Sequence, residues 1–270
     1  MPNPPPLLEV RDLRTWYPVR QGVLARTVDY IRAVDGVELT LNAGETLGIV
    51  GESGCGKSTL ARTILRLEQP RTGDILLDGR SVLKLHGAEL QAYRRTVQVV
   101  FQDPFASLNP RHTILDLVTE AMVVHGLIPH AQRREAATKL LADVGMGPEA
   151  LDRYPHAFSG GQRQRICIAR ALALQPRLLI CDEAVSALDL SVRAQVLNLL
   201  ADLRVAHNLS YLFITHDIGV VQHLADRIAV MHMGKIVEHG PAEDVLNHPA
   251  HNYTKLLLSA VPRIGKHLPQ

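Results

Sequence analysis

A chain of 270 residues, 46% apolar but only 4% aromatic, can bury one large core, or a core with a subdomain, and must fill it mainly with Leu, Val, Ile and Ala. Its 29 basic and 27 acidic side chains nearly cancel to a net charge of +2, which excludes a basic footprint for nucleic acid and a polybasic membrane anchor. Cys55, Cys167 and Cys181 lack ligand-like spacing and predict neither a disulfide framework nor a metal cluster. The start MPNPPPLLEV has no signal-peptide pattern. The longest apolar runs, such as RLLIC and KLLLSAV, fall far short of the roughly 18–20 residues of a spanning helix. A soluble, cytoplasmic chain is expected, which meets a membrane only through partners.

In chain order, LLEVRDLRTWY (7–17) predicts an edge strand, followed by a polar, irregular stretch to about Arg32. AVDGVELTL, AGE and TLGIV read as strand, turn and strand, and TLGIV runs directly into GESGCGKST (51–59). GDILLDGRSV (73–82) is a strand closed by an Asp-Gly turn, and VQVVF (97–101) a short β-branched strand. From about 103 to 157 the pattern turns helical, in ILDLVTEAMVVHGL and RREAATKLLADVG. After FSGGQRQR (158–165) the β/α alternation resumes with RLLICDE, SVRAQVLNLLADLRVAH, SYLFITH and the hairpin-like DRIAVMHMGKIVEHG. Strands alternating with helices predict an α/β fold.

GESGCGKST matches G-x-x-x-x-G-K-[ST] between an apolar strand and a helix, the context in which that pattern cradles phosphate. Gly51, Glu52, Ser53, Gly54, Cys55, Gly56, Lys57, Ser58 and Thr59 are the candidate nucleotide-binding residues. The amides from Gly54 to Thr59 would wrap the β-phosphate, Lys57 would reach the β/γ oxygens, and Ser58 would offer its hydroxyl to Mg²⁺. A thiol at a helix N-terminus is expected to have a lowered pKa, so Cys55 is a candidate reactive cysteine, the alternative being a spacer packed against the sheet.

The other candidate residues stand at strand ends. LLICDE places Asp182 to hold Mg²⁺ and Glu183 to orient or deprotonate the water that attacks the γ-phosphate. ITHD delivers His216 in the same way, as a hydrogen-bond partner of the γ-phosphate. Gln102, directly after VQVVF, is a candidate for Mg²⁺ and the attacking water. FSGGQRQR then poses a question, because two glycines opening a second helix build a second anion site about a hundred residues after the first. One ATP has one terminal phosphate. The economical arrangement is a head-to-tail dimer in which Ser159, Gly160, Gly161 and Gln162 of one subunit close over the 51–59 loop of the other, with ATP between them.

GESGCGKST, FQDP, FSGGQRQR, LLICDEAVSALD and ITHD, in this order, resemble the ATP-binding subunits of ABC transporters over nearly the whole chain. The resemblance implies one cassette over 1–270: a P-loop NTPase (RecA-like) core with an N-terminal antiparallel β-subdomain (7–102 and 166–240), an inserted helical subdomain with the signature motif (103–165), and a C-terminal extension (241–270). It implies that Tyr17 stacks on adenine, with Trp16 as the rival, that Gln102 touches a membrane subunit, and that Ser186 to Asp189 cross to the partner's site. Phe158 stands where many members have Leu, and Ala184 where many have Pro.

Finer features are similar to the oligopeptide/dipeptide branch, which includes nickel and glutathione importers: the insertion PVRQGVLARTVDYIRAVDGV, FQDPFASLNPR (101–111) and the tail HPAHNYTKLLLSAVP (248–262). Some members of that branch carry an iron–sulfur cluster in the C-terminal region; no cysteine follows Cys181 in this sequence. The partners so implied are two membrane permease subunits, a second and non-identical ATP-binding subunit, and indirectly an extracytoplasmic solute-binding protein, but no nucleic acid. The expected function is ATP hydrolysis driving import of di- or oligopeptides from the inner face of the cell membrane. The same role for nickel or glutathione is the alternative, followed by a soluble non-transport ABC ATPase. A regulatory, non-hydrolysing cassette would lack Glu183 or His216, and both are present.

Overall fold

The computed structural model describes residues 5–21 and 26–260. Strands β1 (Leu8–Gln21) and β2 (Arg26–Leu41) come first, then β3 (Thr46–Val50) and helix α1 (Lys57–Ile64). Next come β4 (Thr72–Leu77), β5 (Arg80–Ser81), α2 (Gly87–Thr96) and β6 (Val97–Val100), and then three helices, α3 (Pro104–Ser107), α4 (Ile114–Val124) and α5 (Arg133–Asp143). Helix α6 (Gly160–Leu172) leads to β7 (Leu178–Asp182), α7 (Leu190–His207), β8 (Ser210–Thr215) and α8 (Ile218–Leu224). The hairpin β9 (Arg227–His232) and β10 (Lys235–Pro241) is followed by α9 (Ala242–Asn247) and α10 (Asn252–Ser259).

The strands form two sheets. An antiparallel sheet has the order β2-β1-β4-β5, and a six-stranded sheet the order β10-β9-β3-β8-β7-β6. In the second sheet β3 pairs in parallel with both β8 and β9, β7 with both β8 and β6, and only β10 runs against its neighbour. Strands covered on both faces need continuous apolar sequence, and β3, β7 and β8 are buried at every position. The antiparallel sheet, the parallel core and the helices α3–α5 give the expected P-loop α/β architecture.

Sides of one strand feed different layers of the core. Along β8, Tyr211 and Phe213 pack towards the helices with Ile166, Val118 and Leu200, while Leu212 and Ile214 pack towards α1 and the antiparallel sheet with Leu60, Ile64 and Leu13. The Thr15 and Thr63 hydroxyls, 3.0 Å apart and buried, tie β1 to α1. Helix starts follow local chemistry: Thr113 accepts from the Asp116 amide to begin α4, and Asn208, at φ +49°, ends α7 in the left-handed conformation. Arg133 on α5 reaches back to Asp116 at 2.6 Å and holds α4 and α5 together.

Two sequence expectations are corrected. β1 is not an edge strand, since β2 and β4 both pair with it and β2 takes the edge. The stretch to Arg32 is not irregular; it forms the arms of a hairpin in which Tyr17 pairs with Ile31 and Gln21 with Arg26. Cross-strand hydrogen bonds hold these arms, whose residues 26–32 are all exposed, so no buried face left an alternation to read. Part of that insertion, residues 22–25, lies outside the described residues, as do 261–270. The helix α2 also escaped notice because Tyr93 is its one buried residue.

Phe213→Ala, which empties a fully buried position between the sheet and the helices, is expected to cost about 3–5 kcal/mol, read as a lowered denaturant midpoint. A loss below about 1 kcal/mol would contradict the packing described.

Candidate functional site

The 51–59 loop leaves the end of β3 and enters α1 through Gly56, at φ +111°, with no side chain capping the helix. A Cβ on Gly56 would lie 1.9 Å from the Ala33 carbonyl oxygen, so the loop rests on β2 in a shape that only glycine allows. The starts of α4, α6, α7 and α8 each have a side-chain cap, whereas the first amides of α1 have none, which leaves them available to an anion. Lys57 is buried, and its Nζ donates to the carbonyls of Gly51 and Glu52, each at 2.8 Å.

Ser53, Gly54 and residues 56–59 form one wall of a cleft of about 340 Å³, Gln102 and Glu183 line it as well, and Ala33 completes the lining. Asp182 joins this group through Ser58, whose hydroxyl donates to Oδ1 at 3.0 Å. Burial raises the Asp182 carboxyl above its ordinary range, against the opposing hydrogen bond from Ser58 and charge of Lys57. A buried carboxylate beside a hydroxyl is an oxygen donor pair of the kind that suits a hard divalent cation such as Mg²⁺. Glu183 leaves β7 at φ +51°, a strained turn for a non-glycine residue, pinned by its amide donating to the Ile214 carbonyl at 2.8 Å. His216 Nδ1 stands 3.2 Å from Glu183 Oε1 and brings the end of β8 into the group.

Other candidates lie elsewhere. Tyr17 is half-buried on β1 and is not among the residues lining the cleft. Its rival Trp16 is committed: Arg32 and Arg71 each lie 4.9 Å from its ring, and Nε1 donates to Asp35 at 3.2 Å. Ser159, Gly160, Gly161 and Gln162 are also absent from the lining. Ser159 and Gln162 form a reciprocal capping box at the start of α6, so both side chains serve the helix. Gly161 is fixed by packing, because a Cβ there would lie 2.3 Å from Val192 Cγ1 on α7, whereas at Gly160 the nearest atom would be 3.9 Å away. Asp189 caps α7, and the Val192 amide and Ser191 hydroxyl hold its carboxyl below the usual range. Arg193, which the sequence did not single out, donates to Asp217 at 2.6 Å and to the Leu188 carbonyl at 3.2 Å. It thereby ties the 184–189 loop to the end of β8, a long-range role with no signal in local spacing.

The expectation of a reactive Cys55 is overturned. Its side chain is buried beneath the loop, and that burial raises the thiol pKa by more than the neighbouring Lys57 charge lowers it. Cys167, pushed up to about 11, and Cys181 are buried too. Because thiolate is the reactive form and all three thiols titrate above their ordinary range, maleimide is expected to label the folded protein slowly at pH 7. The rate should rise about tenfold per pH unit up to pH 9. Rapid, pH-independent labelling of Cys55 between pH 6 and 7 would contradict this.

Comparison with known proteins identifies the family. The ABC transporter family model matches residues 34–186, and the model of the oligopeptide/dipeptide transporter C-terminal region matches residues 237–270. The chain is 50% identical to the oligopeptide transport ATP-binding protein AppF of Bacillus subtilis, over 96% of this chain and 79% of that protein. It is 51% identical to the probable peptide ABC transporter ATP-binding protein y4tS of Sinorhizobium fredii, over 95% of this chain and 72% of that one. It is 52% identical to the glutathione import ATP-binding protein GsiA of Escherichia coli K12, but spans only 41% of that longer relative. Among solved structures, the dimeric post-hydrolysis state of the ATP-binding cassette MJ0796 bound to ADP and Pi superposes with a TM-score of 0.76 at 28% identity, covering 87% of this chain and 98% of that one. Described residues include no helix long and apolar enough to cross a membrane. The chain belongs to the ABC transporter family, as an ATP-binding, ATP-hydrolysing subunit of the oligopeptide/dipeptide transporter branch.

Proposed function

We propose that this chain energises import of di- or oligopeptides as half of a two-chain ATP motor, seated on two membrane permease subunits at the cytoplasmic face of the cell membrane. The observation that carries the reading is a divided constellation. Gln102, Glu183 and the 51–59 loop share one cleft, while Ser159 and Asp189 are exposed and outside it. Gly160 adds support: among the described residues the nearest atom to a Cβ there would be 3.9 Å away, so its missing side chain suits a surface that another molecule approaches. Ser159, Gly160, Gly161 and Gln162 of one subunit would then face the phosphate held by its partner's loop, and Asp189 would cross with them. The similar cassette MJ0796, a dimer bound to ADP and Pi, supports that arrangement.

Within each site Lys57 and the amides of 54–59 hold the β- and γ-phosphates, and Tyr17 takes the adenine. Ser58, Asp182 and Gln102 would hold Mg²⁺, which when bound offsets the charge of the phosphates. Glu183 accepts a proton from the water that attacks the γ-phosphorus, the bond to the β-phosphate oxygen breaks, and ADP and phosphate leave. His216 steadies the Glu183 carboxylate through Nδ1 and offers its other ring nitrogen to the γ-phosphate. Residues 103–165 act as the helical subdomain beside the core and β-subdomain (7–102 and 166–240), with 241–270 as the extension of a single cassette. The match to the oligopeptide/dipeptide transporter C-terminal region and the similarity to AppF and y4tS support peptides as the solute. Glutathione, named for GsiA, is itself a short peptide and keeps the same class. A non-identical ATP-binding subunit completes the dimer, and a solute-binding protein acts from outside.

Glu183→Gln is expected to lower hydrolysis by roughly 10²–10⁴-fold with ATP affinity retained. Purified from native membranes with ATP, this variant should bring two polytopic proteins and a second ATP-binding subunit. Near-normal turnover would remove Glu183 as the base, and recovery with soluble proteins only would remove the transport role.

A further inference from the structure

The C-terminal helix α10 reaches the phosphate loop from a distance of 201 residues along the chain, through the Tyr253 hydroxyl, which accepts a hydrogen bond from the Glu52 amide at 3.1 Å. The same peptide unit has its other end occupied, because the Gly51 carbonyl accepts from Lys57 Nζ at 2.8 Å. One peptide plane is therefore pinned at its N–H by the tail and at its C=O by the lysine expected to bind phosphate. We propose that Tyr253 is a positioning residue of the nucleotide site, which fixes the Gly51–Glu52 peptide and through it the place where Lys57 waits. This rests on the assignment of the 51–59 loop to ATP.

The tail is built to hold Tyr253 in place. Its ring is 8% exposed and lies against His232 at the end of β9, with centroids 3.9 Å apart and the planes tilted by 32°. Glu238 on β10 accepts from the Ala250 and His251 amides at 2.7 and 3.0 Å, and His251 Nδ1 accepts from the Tyr253 amide at 3.1 Å, capping α10. The turn after His232 braces the loop as well, since the Gly234 amide donates to the Cys55 carbonyl at 2.9 Å. A hydroxyl that accepts from a peptide N–H opposes rotation of that plane and polarises its carbonyl, which strengthens the hold on Lys57. Removing it frees the plane, so an arriving phosphate must gather a lysine that is no longer kept in one place. Coupling between two sites is reciprocal, so nucleotide at the loop must in turn steady the tail.

The test is Tyr253→Phe, which keeps the ring against His232 and removes only the acceptor, made in the Glu183→Gln background so that ATP is not consumed. Titration with a fluorescent ATP analogue and Mg²⁺ is expected to show roughly fivefold weaker binding, the equivalent of one neutral hydrogen bond, with Tm within about 2 °C of the parent. Hydrogen exchange at residues 250–259 is expected to slow on addition of the analogue in the parent and to lose that response in Tyr253→Phe. Unchanged affinity would overturn the proposal, and so would a loss of affinity matched by a fall in Tm with the exchange response intact. Normal binding by Lys57→Ala would remove the nucleotide assignment and this proposal with it, an outcome distinct from normal binding by Tyr253→Phe alone.

Discussion

The parallel register that sets Val50 opposite Thr215 and Asp182 opposite Ile214 brings three strand ends to one edge of the sheet. Whatever follows those ends meets there: the glycine loop after β3, Glu183 after β7 and His216 after β8. Ser58 and Asp182, 124 residues apart, and Glu183 and His216, 33 apart, thus become neighbours without any local sequence relationship. The register is fixed because the strands are buried on both faces, so a slip by one residue would exchange every side chain between the helical layer and the layer around α1.

On that edge the chain buries two ionisable side chains, Lys57 and Asp182. Lys57 is satisfied by two loop carbonyls, and Asp182 by the Ser58 hydroxyl, with its carboxyl raised by burial. A carboxyl raised on folding lends stability that is complete below its unfolded pKa and is lost as pH rises through the folded one, so the charged form at neutral pH is a cost to the fold. In the proposed site, phosphates at Lys57 and a cation at Asp182 would relieve both positions together, which would link this edge physically to nucleotide binding. The φ of +51° at Glu183 belongs to the same pattern of strain held by the surrounding sheet.

Legibility in the sequence followed the range of the interactions involved. GESGCGKST could be read as a candidate phosphate loop because its pattern is contained in nine consecutive residues, and the meeting of Asp182, Glu183 and His216 beside it because each stands at the end of a buried apolar strand. The α/β class followed from the same strands. The far part of the β1–β2 hairpin could not be read, since residues 26–32 are all exposed and leave no buried alternation. At Cys55 the position at a helix start suggests a lowered thiol pKa, whereas burial beneath the loop, a tertiary fact, outweighs it. Arg193 and Tyr253 act across 24 and 201 residues, and nothing near them in the sequence announces the partner. Gly161 shows the opposite case, where a glycine suited to an anion is also required by Val192 of the neighbouring helix.

Whether a second chain completes the ATP site is decided by sedimentation. The Glu183→Gln protein, alone and with the ATP-binding subunit that accompanies it, would be centrifuged with and without ATP. ATP is expected to convert single chains of 29.7 kDa to a two-chain species holding two nucleotides, a change abolished by Ser159→Arg although the 51–59 loop is intact. A single chain that binds ATP without associating, while its wild-type counterpart hydrolyses it at full rate alone, would contradict the account.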